Sequence, residues 1–188
     1  MTNAVEPTHL TTPLTEEAVG GLKAGDLVVI SGVLYTARDA AHERLARMLE
    51  RGEPLPVDLR GQVIYYCGPT PPRPGRPIGS AGPTTATRMD AYTPALLAQG
   101  VKGLIGKGRR GADVREALRT HRCVYFAAIE GTAALLGQRV QSADVVAFPD
   151  LGPEAIYRFV VDQFPVVVAN DIYGNDVYEL GRRQYARA

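Results

Sequence analysis

Short apolar runs alternate along the chain with segments of helical period, a pattern that predicts an α/β domain with a mixed sheet flanked by helices. Strands are predicted at 26–31 (DLVVIS), 62–67 (QVIYYC), 101–105 (VKGLI), 123–129 (CVYFAAI), 144–148 (DVVAF) and 165–169 (PVVVA). Most are apolar throughout and rich in valine, isoleucine and tyrosine, as strands covered on both faces are. The clearest helix is TARDAAHERLARMLERG, with Thr36 as its N-cap, Asp39 in the box position three residues on and Gly52 just past the end. Shorter helices are expected in ADVREALRT, GTAALLGQR and PEAIYRFVV, and Thr93-Pro94 followed by ALLAQG supplies a cap, a first-turn proline and a terminal glycine. Residues 67–83 hold six prolines and four glycines, so they predict a long stiffened loop, of a length that is usually functional or interfacial in a compact domain.

Composition adds bounds. With 188 residues, 45% apolar and 22% charged, the chain is long enough for one well-buried globular domain. A formal net charge of +1 gives no bulk attraction to nucleic acid or to a membrane surface, so any anion site must be local. The opening residues lack a basic segment followed by an apolar one, and no run approaches a membrane span, so a cytoplasmic protein is expected. Cys67 and Cys123 each sit in an apolar run and read as core thiols, too few to hold an iron–sulfur cluster. No histidine has a partner at metal-ligand spacing, and no metal site is expected within the chain.

The candidate chemistry begins at GPTTATRMD. A helix starting there puts Thr84 and Arg88 four apart on one face, with a cation at the positive end of the helix dipole unless an anion lies between them. Arg38 repeats the arrangement in the first turn after Thr36. Two such helix mouths can converge on a small anion, and arginine grips a carboxylate with two N–H groups at once. His42, four residues after Arg38, is a general acid or base near that anion or a packing histidine. GKGRRG fits G-x-G-x-x-G after a strand and before a helix, with Glu130 at the end of the next strand, the pattern of a dinucleotide-binding turn. The alternative is that Lys107 points at the same anion as Arg38 and Arg88, while Arg109 and Arg110 are solvated.

SGVLYTARDAAHERL, LPVDLRGQVIYYCGPTPP, AGPTTATRMDAYTPALL, IGKG, YFAAIEGTAALL, VVAFPDLGPEAIYRF and VVVANDIYGNDVYE, in this order, resemble the C-terminal domain, or β subunit, of class I iron–sulfur fumarate hydratases. The resemblance runs from about Leu10 to Tyr178 and implies a swivelling β/β/α domain over 14–188, with 1–13 as an N-terminal extension. It implies reversible hydration of fumarate to L-malate, at a site shared with an α subunit that holds a [4Fe-4S] cluster, in an α2β2 assembly. The arginines of the family's TxRDxAH and GPTTxxRM motifs fall on Arg38 and Arg88, which would hold substrate carboxylates. Thr84 falls on the residue proposed as base and Lys107 on the lysine expected to contact substrate. Glu130, where a small residue is usual, and RRGAD after GKG depart from the pattern. Tartrate dehydratase β subunits share the RDxxH and GPTTxxRM features, and a stand-alone dicarboxylate-binding module or an NAD(P)-binding domain are the rival classes.

Overall fold

Val63 and Tyr65 of β3 (Val63–Tyr65) join one buried cluster while Ile64 and the next residue, Tyr66, join a second, so successive side chains leave opposite faces and both faces are covered. The same division holds along the sheet. In the computed structural model, which describes residues 6–129 and 131–186, β1 (Thr8–Thr11), β2 (Leu27–Thr36), β3, β4 (Gly103–Gly106), β5 (Val124–Ala127), β6 (Val140–Ala147) and β7 (Ile156–Asn170) form one sheet in the order β1-β2-β3-β4-β5-β7-β6. The first five strands run parallel, and β7 runs antiparallel to β5 and β6. β7 also pairs antiparallel with β2, from Leu27 opposite Val167 to Tyr35 opposite Arg158. That second pairing closes β2, β3, β4, β5 and β7 into a ring. Val63, Tyr65, Ile105, Val124, Phe126, Phe159 and Phe164 fill one side of it. On the other side, Ile64, Tyr66, Leu104 and Tyr125 pack against α2 (Asp39–Glu50), α3 (Thr93–Leu97) and α4 (Ala112–Thr120).

The remaining helices are α1 (Glu16–Gly20), α5 (Ala133–Gln138) and α6 (Val177–Tyr185), and no helix among the described residues is long and apolar enough to cross a membrane. β1 lies within the stretch set apart as an N-terminal extension, where Leu10 is buried and pairs with Ile30. The helices expected in ADVREALRT and GTAALLGQR form, and Gly52 ends α2 with φ +66°, its N–H donating to Leu49 O at 3.0 Å and that of Glu53 to Met48 O at 2.9 Å.

Three local expectations are corrected. PEAIYRFVV is not helical: Pro149–Glu154 is a kinked 3-10 segment, and from Ile156 the chain is the long strand β7, since Ile156 packs in the outer cluster while Phe159, Val161 and Phe164 pack in the inner one, a division that extended backbone provides. Thr36 is no helix cap but the last residue of β2, and its buried hydroxyl accepts from Tyr157 N–H at 3.0 Å. Thr93 sits inside α3 after Tyr92, its hydroxyl donating to Met89 O at 2.8 Å. The loop at 67–83 folds over the inner cluster: Ile78 and Ala81 are buried in it, Tyr65 Oη donates to Ala81 O at 2.5 Å, and Ala81 N–H donates to Ala133 O at 2.9 Å.

Because Phe159 is wholly buried where β7 faces the inner cluster, Phe159→Ala should lower the unfolding free energy of the chain by about 3–5 kcal/mol in urea titration.

Candidate functional site

The parallel strands β2, β3 and β4 end side by side, and the candidate residues follow directly from those ends. Ala37 N–H donates to Tyr65 O at 3.1 Å, which brings Arg38 beside the end of β3. Beyond Tyr66 and Gly106 the strands β3 and β4 part, and the segment from Thr84 fills the gap. Thr84 N–H donates to Tyr66 O at 2.7 Å, Lys107 N–H donates to Thr84 O at 3.1 Å, and Ala86 N–H donates to Lys107 O at 2.9 Å. Thr84 and Lys107 are therefore fixed to each other by backbone, at the carboxyl ends of parallel strands where open α/β sheets place ligands.

The helix expected at GPTTATRMD is one turn of 3-10 helix, Ala86–Met89. Thr85 occupies its N-cap position without a side-chain cap bond, Thr84 lies outside it, and Arg88 is in its last turn, so Thr84 and Arg88 do not share a helical face and the dipole argument lapses. Arg38 likewise stands at the N-cap of α2, not in its first turn. Its side chain cannot accept the N–H groups there, and Glu154 does so instead, Oε2 accepting from Ala40 N–H at 2.9 Å.

The structure does bring the two arginines together. Asp39 Oδ1 accepts from Arg88 Nε at 2.8 Å and Asp39 Oδ2 from Arg38 Nε at 3.3 Å, while Glu154 Oε1 lies 3.4 Å from Arg38 Nε. The stem of Arg38 lies over Gly68, where an added Cβ would come 3.3 Å from Arg38 Cδ and 2.9 Å from Pro153 O. Partial burial raises the Asp39 pKa, but its own backbone N–H, Arg38 and Arg88 outweigh that and hold the carboxyl below its ordinary range. Glu154 was hidden from sequence reading inside an apparent helix; its position five residues after Pro149 gave no hint of this contact.

His42 is fully buried on α2. Its Nδ1 lies 3.1 Å from Arg38 O, its ring meets Tyr66 edge-on with centroids 5.2 Å apart, and its Nε2 is buried without a partner. Burial pushes its pKa down to about 4. It is a neutral side chain fastening the first turn of α2 to the sheet, so the packing alternative holds.

The expectation that Arg110 is solvated is overturned. Its side chain is 0% exposed, with Nε donating to Asp90 Oδ1 at 2.8 Å, Nη1 to Tyr66 Oη at 3.0 Å and Nη2 to Thr93 Oγ1 at 2.7 Å. The guanidinium also faces the rings of Tyr66 and Tyr125 at 5.3 and 5.1 Å. Burial alone would lower its pKa, but Tyr66 and Asp90 outweigh that and keep it charged. Arg109 is exposed, 5.6 Å from the Tyr178 ring. Gly111 N–H, at the start of α4, donates to Asp90 Oδ2 at 2.7 Å. A carboxylate thus holds the helix end that a pyrophosphate needs in a dinucleotide fold, which disfavours that rival. Glu130 lies outside the described residues.

An iron–sulfur cluster does not fit this chain's own donors. Burial pushes the Cys67 thiol up to about 12, and that of Cys123 also upward, and the two thiols belong to opposite faces of the sheet. Among the described residues no group of three or more His, Cys, Asp and Glu side chains is placed to hold a metal ion.

A family model described as the fumarase C-terminus matches residues 2–181. Fumarate hydratase 2 of Leishmania major is 38% identical over 156 residues, 82% of this chain and 28% of that protein. The putative class I fumarate hydratase of Geobacillus stearothermophilus is 37% identical over 175 residues, 90% of this chain and 33% of that protein. The chain thus spans about a third or less of these relatives. The putative L(+)-tartrate dehydratase subunit beta of Methanocaldococcus jannaschii is 39% identical over 172 residues, 88% of each.

Arg110→Met leaves Asp90, Tyr66 and Thr93 without their shared donor, and urea unfolding should register a loss of about 3–5 kcal/mol. A second outcome concerns pH. His42 has a pKa of about 4 in the fold against 6.5 as its ordinary value, so the unfolded chain takes up its proton first as pH falls. Stability contributed by neutral His42 is complete above about 6.5 and is lost toward 4, on the order of 3 kcal/mol in all. His42→Asn should flatten the pH dependence of unfolding in that window relative to the unmodified chain.

Proposed function

The chain belongs to the fumarase C-terminus family, and from that premise we propose that it is the β subunit of a two-subunit class I fumarate hydratase, catalysing reversible hydration of fumarate to L-malate in the cytoplasm. One observation carries the reading: Arg38 and Arg88, from segments far apart in sequence, meet around the single carboxylate of Asp39 beside the Thr84–Lys107 pairing. Two guanidinium groups suit a substrate with a carboxylate at each end. The domain would act as the swivelling β/β/α half that closes the site, with Arg38 and Arg88 binding the carboxylates.

In the dehydration direction, a proton leaves one carbon of L-malate and the hydroxyl leaves its neighbour. In this proposal Thr84 Oγ1, as an alkoxide whose own hydroxyl proton has first passed to solvent, accepts that proton, the C–H electron pair forms the double bond and the hydroxyl departs as hydroxide. A neutral threonine is a weak base, so the role needs a cation that favours its alkoxide in a water-poor site, and Lys107, whose backbone N–H donates to Thr84 O from the end of β4, would supply that ammonium. The same ammonium would stabilise negative charge developing on the substrate. The [4Fe-4S] cluster of this enzyme class belongs in the proposal to an α subunit, since the cysteines here are buried apart, and the assembly would be α2β2. A second reading, the β subunit of an L-tartrate dehydratase, is favoured by the match over 88% of such a subunit's whole length. One extra substrate hydroxyl separates the two, and few contacts need differ.

The deciding experiment pairs the chain with an α subunit under anaerobic conditions after cluster reconstitution, and follows the ultraviolet band of fumarate with L-malate, against oxaloacetate formation from L-tartrate. Malate turnover is expected, with none from the chain alone; Arg38→Ala, Arg88→Ala and Lys107→Ala should each lower kcat/KM by about a hundredfold or more. Thr84→Ser should retain more activity than Thr84→Val. Turnover of tartrate alone would decide for the second reading.

A further inference from the structure

Among the described residues, Asp39 alone forms an ion pair with both arginines. We infer that Asp39 is a positioning residue that sets the distance and aim of the Arg38 and Arg88 guanidinium groups, and through them the preference for a four-carbon dicarboxylate. This rests on the reading of those arginines as carboxylate holders.

A guanidinium offers a fork of five N–H groups, and a carboxylate can engage either the edge containing Nε or the pair of terminal nitrogens. In both arginines Asp39 takes the Nε. The terminal nitrogens of Arg38 and Arg88 make no hydrogen bond to any described residue, so the pair of donors best shaped for a ligand carboxylate remains for it. One oxygen of Asp39 serves each arginine, which fixes the two forks relative to each other by the width of a single carboxylate.

Nothing else sets that distance as directly. Arg38 follows β2 and Arg88 lies within a 3-10 turn, 49 residues from Asp39 in sequence. Glu154 steadies only Arg38. Asp39 itself has little freedom: it is the first residue of α2, where the helix dipole favours a carboxylate, and the start of that helix is held by Glu154 on Ala40 N–H and by His42 on Arg38 O. An ordinary surface ion pair contributes little to stability, and the half-exposed Arg88 fits that description energetically. Geometry is the point here, because an error of an ångström in two carboxylate clamps falls on substrate placement.

Asp39→Asn keeps the shape but presents an amide nitrogen to one of the two guanidinium groups. In the assembled enzyme it should raise KM for the dicarboxylate by about tenfold while kcat changes by less than about threefold, with Asp39→Glu intermediate. As competitive inhibitors, succinate should lose more affinity than malonate or glutarate, narrowing the preference for four carbons. In the isolated chain, nitrogen-15 spectra should show the Nε–H signals of both Arg38 and Arg88 shifted by Asp39→Asn, each signal assigned by its disappearance in Arg38→Lys or Arg88→Lys. If only one signal moves, or neither, or if kcat falls as far as kcat/KM, Asp39 does not position the pair. Should the unmodified assembly turn over neither malate nor tartrate, the functional reading falls, and the two Nε–H signals with a succinate titration of the isolated chain still decide the role of Asp39.

Discussion

β7 hydrogen-bonds to β2 along one edge, and along the other to β6 and then to β5. This double engagement turns a sheet with two open ends into a ring, and the geometry of the candidate site follows from it. In the ring β2, β3 and β4 are held parallel and in fixed register, so their carboxyl ends stop at one level. A flat sheet of the same strands would leave β2 with an exposed edge and let its end drift relative to that of β4. Ring closure thus converts two distant motifs, after β2 and between β3 and β4, into neighbours. Where β3 and β4 separate, their unpaired backbone groups are taken up by Thr84 and Ala86, so the opening in the ladder becomes the mounting for Thr84 and Lys107.

The outer layer carries a second constraint of another kind. Arg110 brings a charge into an otherwise apolar contact between sheet and helices, which is unfavourable unless its donors are met. They are met by Tyr66, just beyond β3, and by Asp90, just before α3, and Thr93 at its start. Such a network tolerates few alternative arrangements, because a partial set leaves a buried charge. It fixes the GKGRRG turn three residues beyond Lys107, and so reaches the site from below.

Much of this was legible from local pattern. The strand cores, the helices at ADVREALRT and GTAALLGQR and the glycine stop after α2 follow from apolar runs and from φ preferences that act over a few residues. The long strand β7 was not, since the amphipathic spacing of PEAIYRFVV suits a helix, and only pairing with β2 and β6 decides otherwise. Thr36, in a cap-like setting, was claimed by a strand for the same reason. At the site, Arg38, Arg88 and Thr84 were singled out through a helix-mouth argument that the structure does not support, whereas Lys107 was singled out on a turn after a strand, where it stands next to the end of β4. Glu154 and the burial of Arg110 depend on contacts across 114 and 20 residues, which no local spacing records.

The arginines also arrive already neutralised. Arg38 and Arg88 carry two positive charges, and Asp39 and Glu154, in contact with them, carry two negative ones. Beyond about a Debye length a dianion therefore meets almost no net field from these four side chains. Were a dicarboxylate to bind as proposed, these four side chains would act on it at contact range, through directed N–H groups, and would add little electrostatic steering. Capture by that clamp would be a matter of fit after collision, tolerant of the salt content of its surroundings.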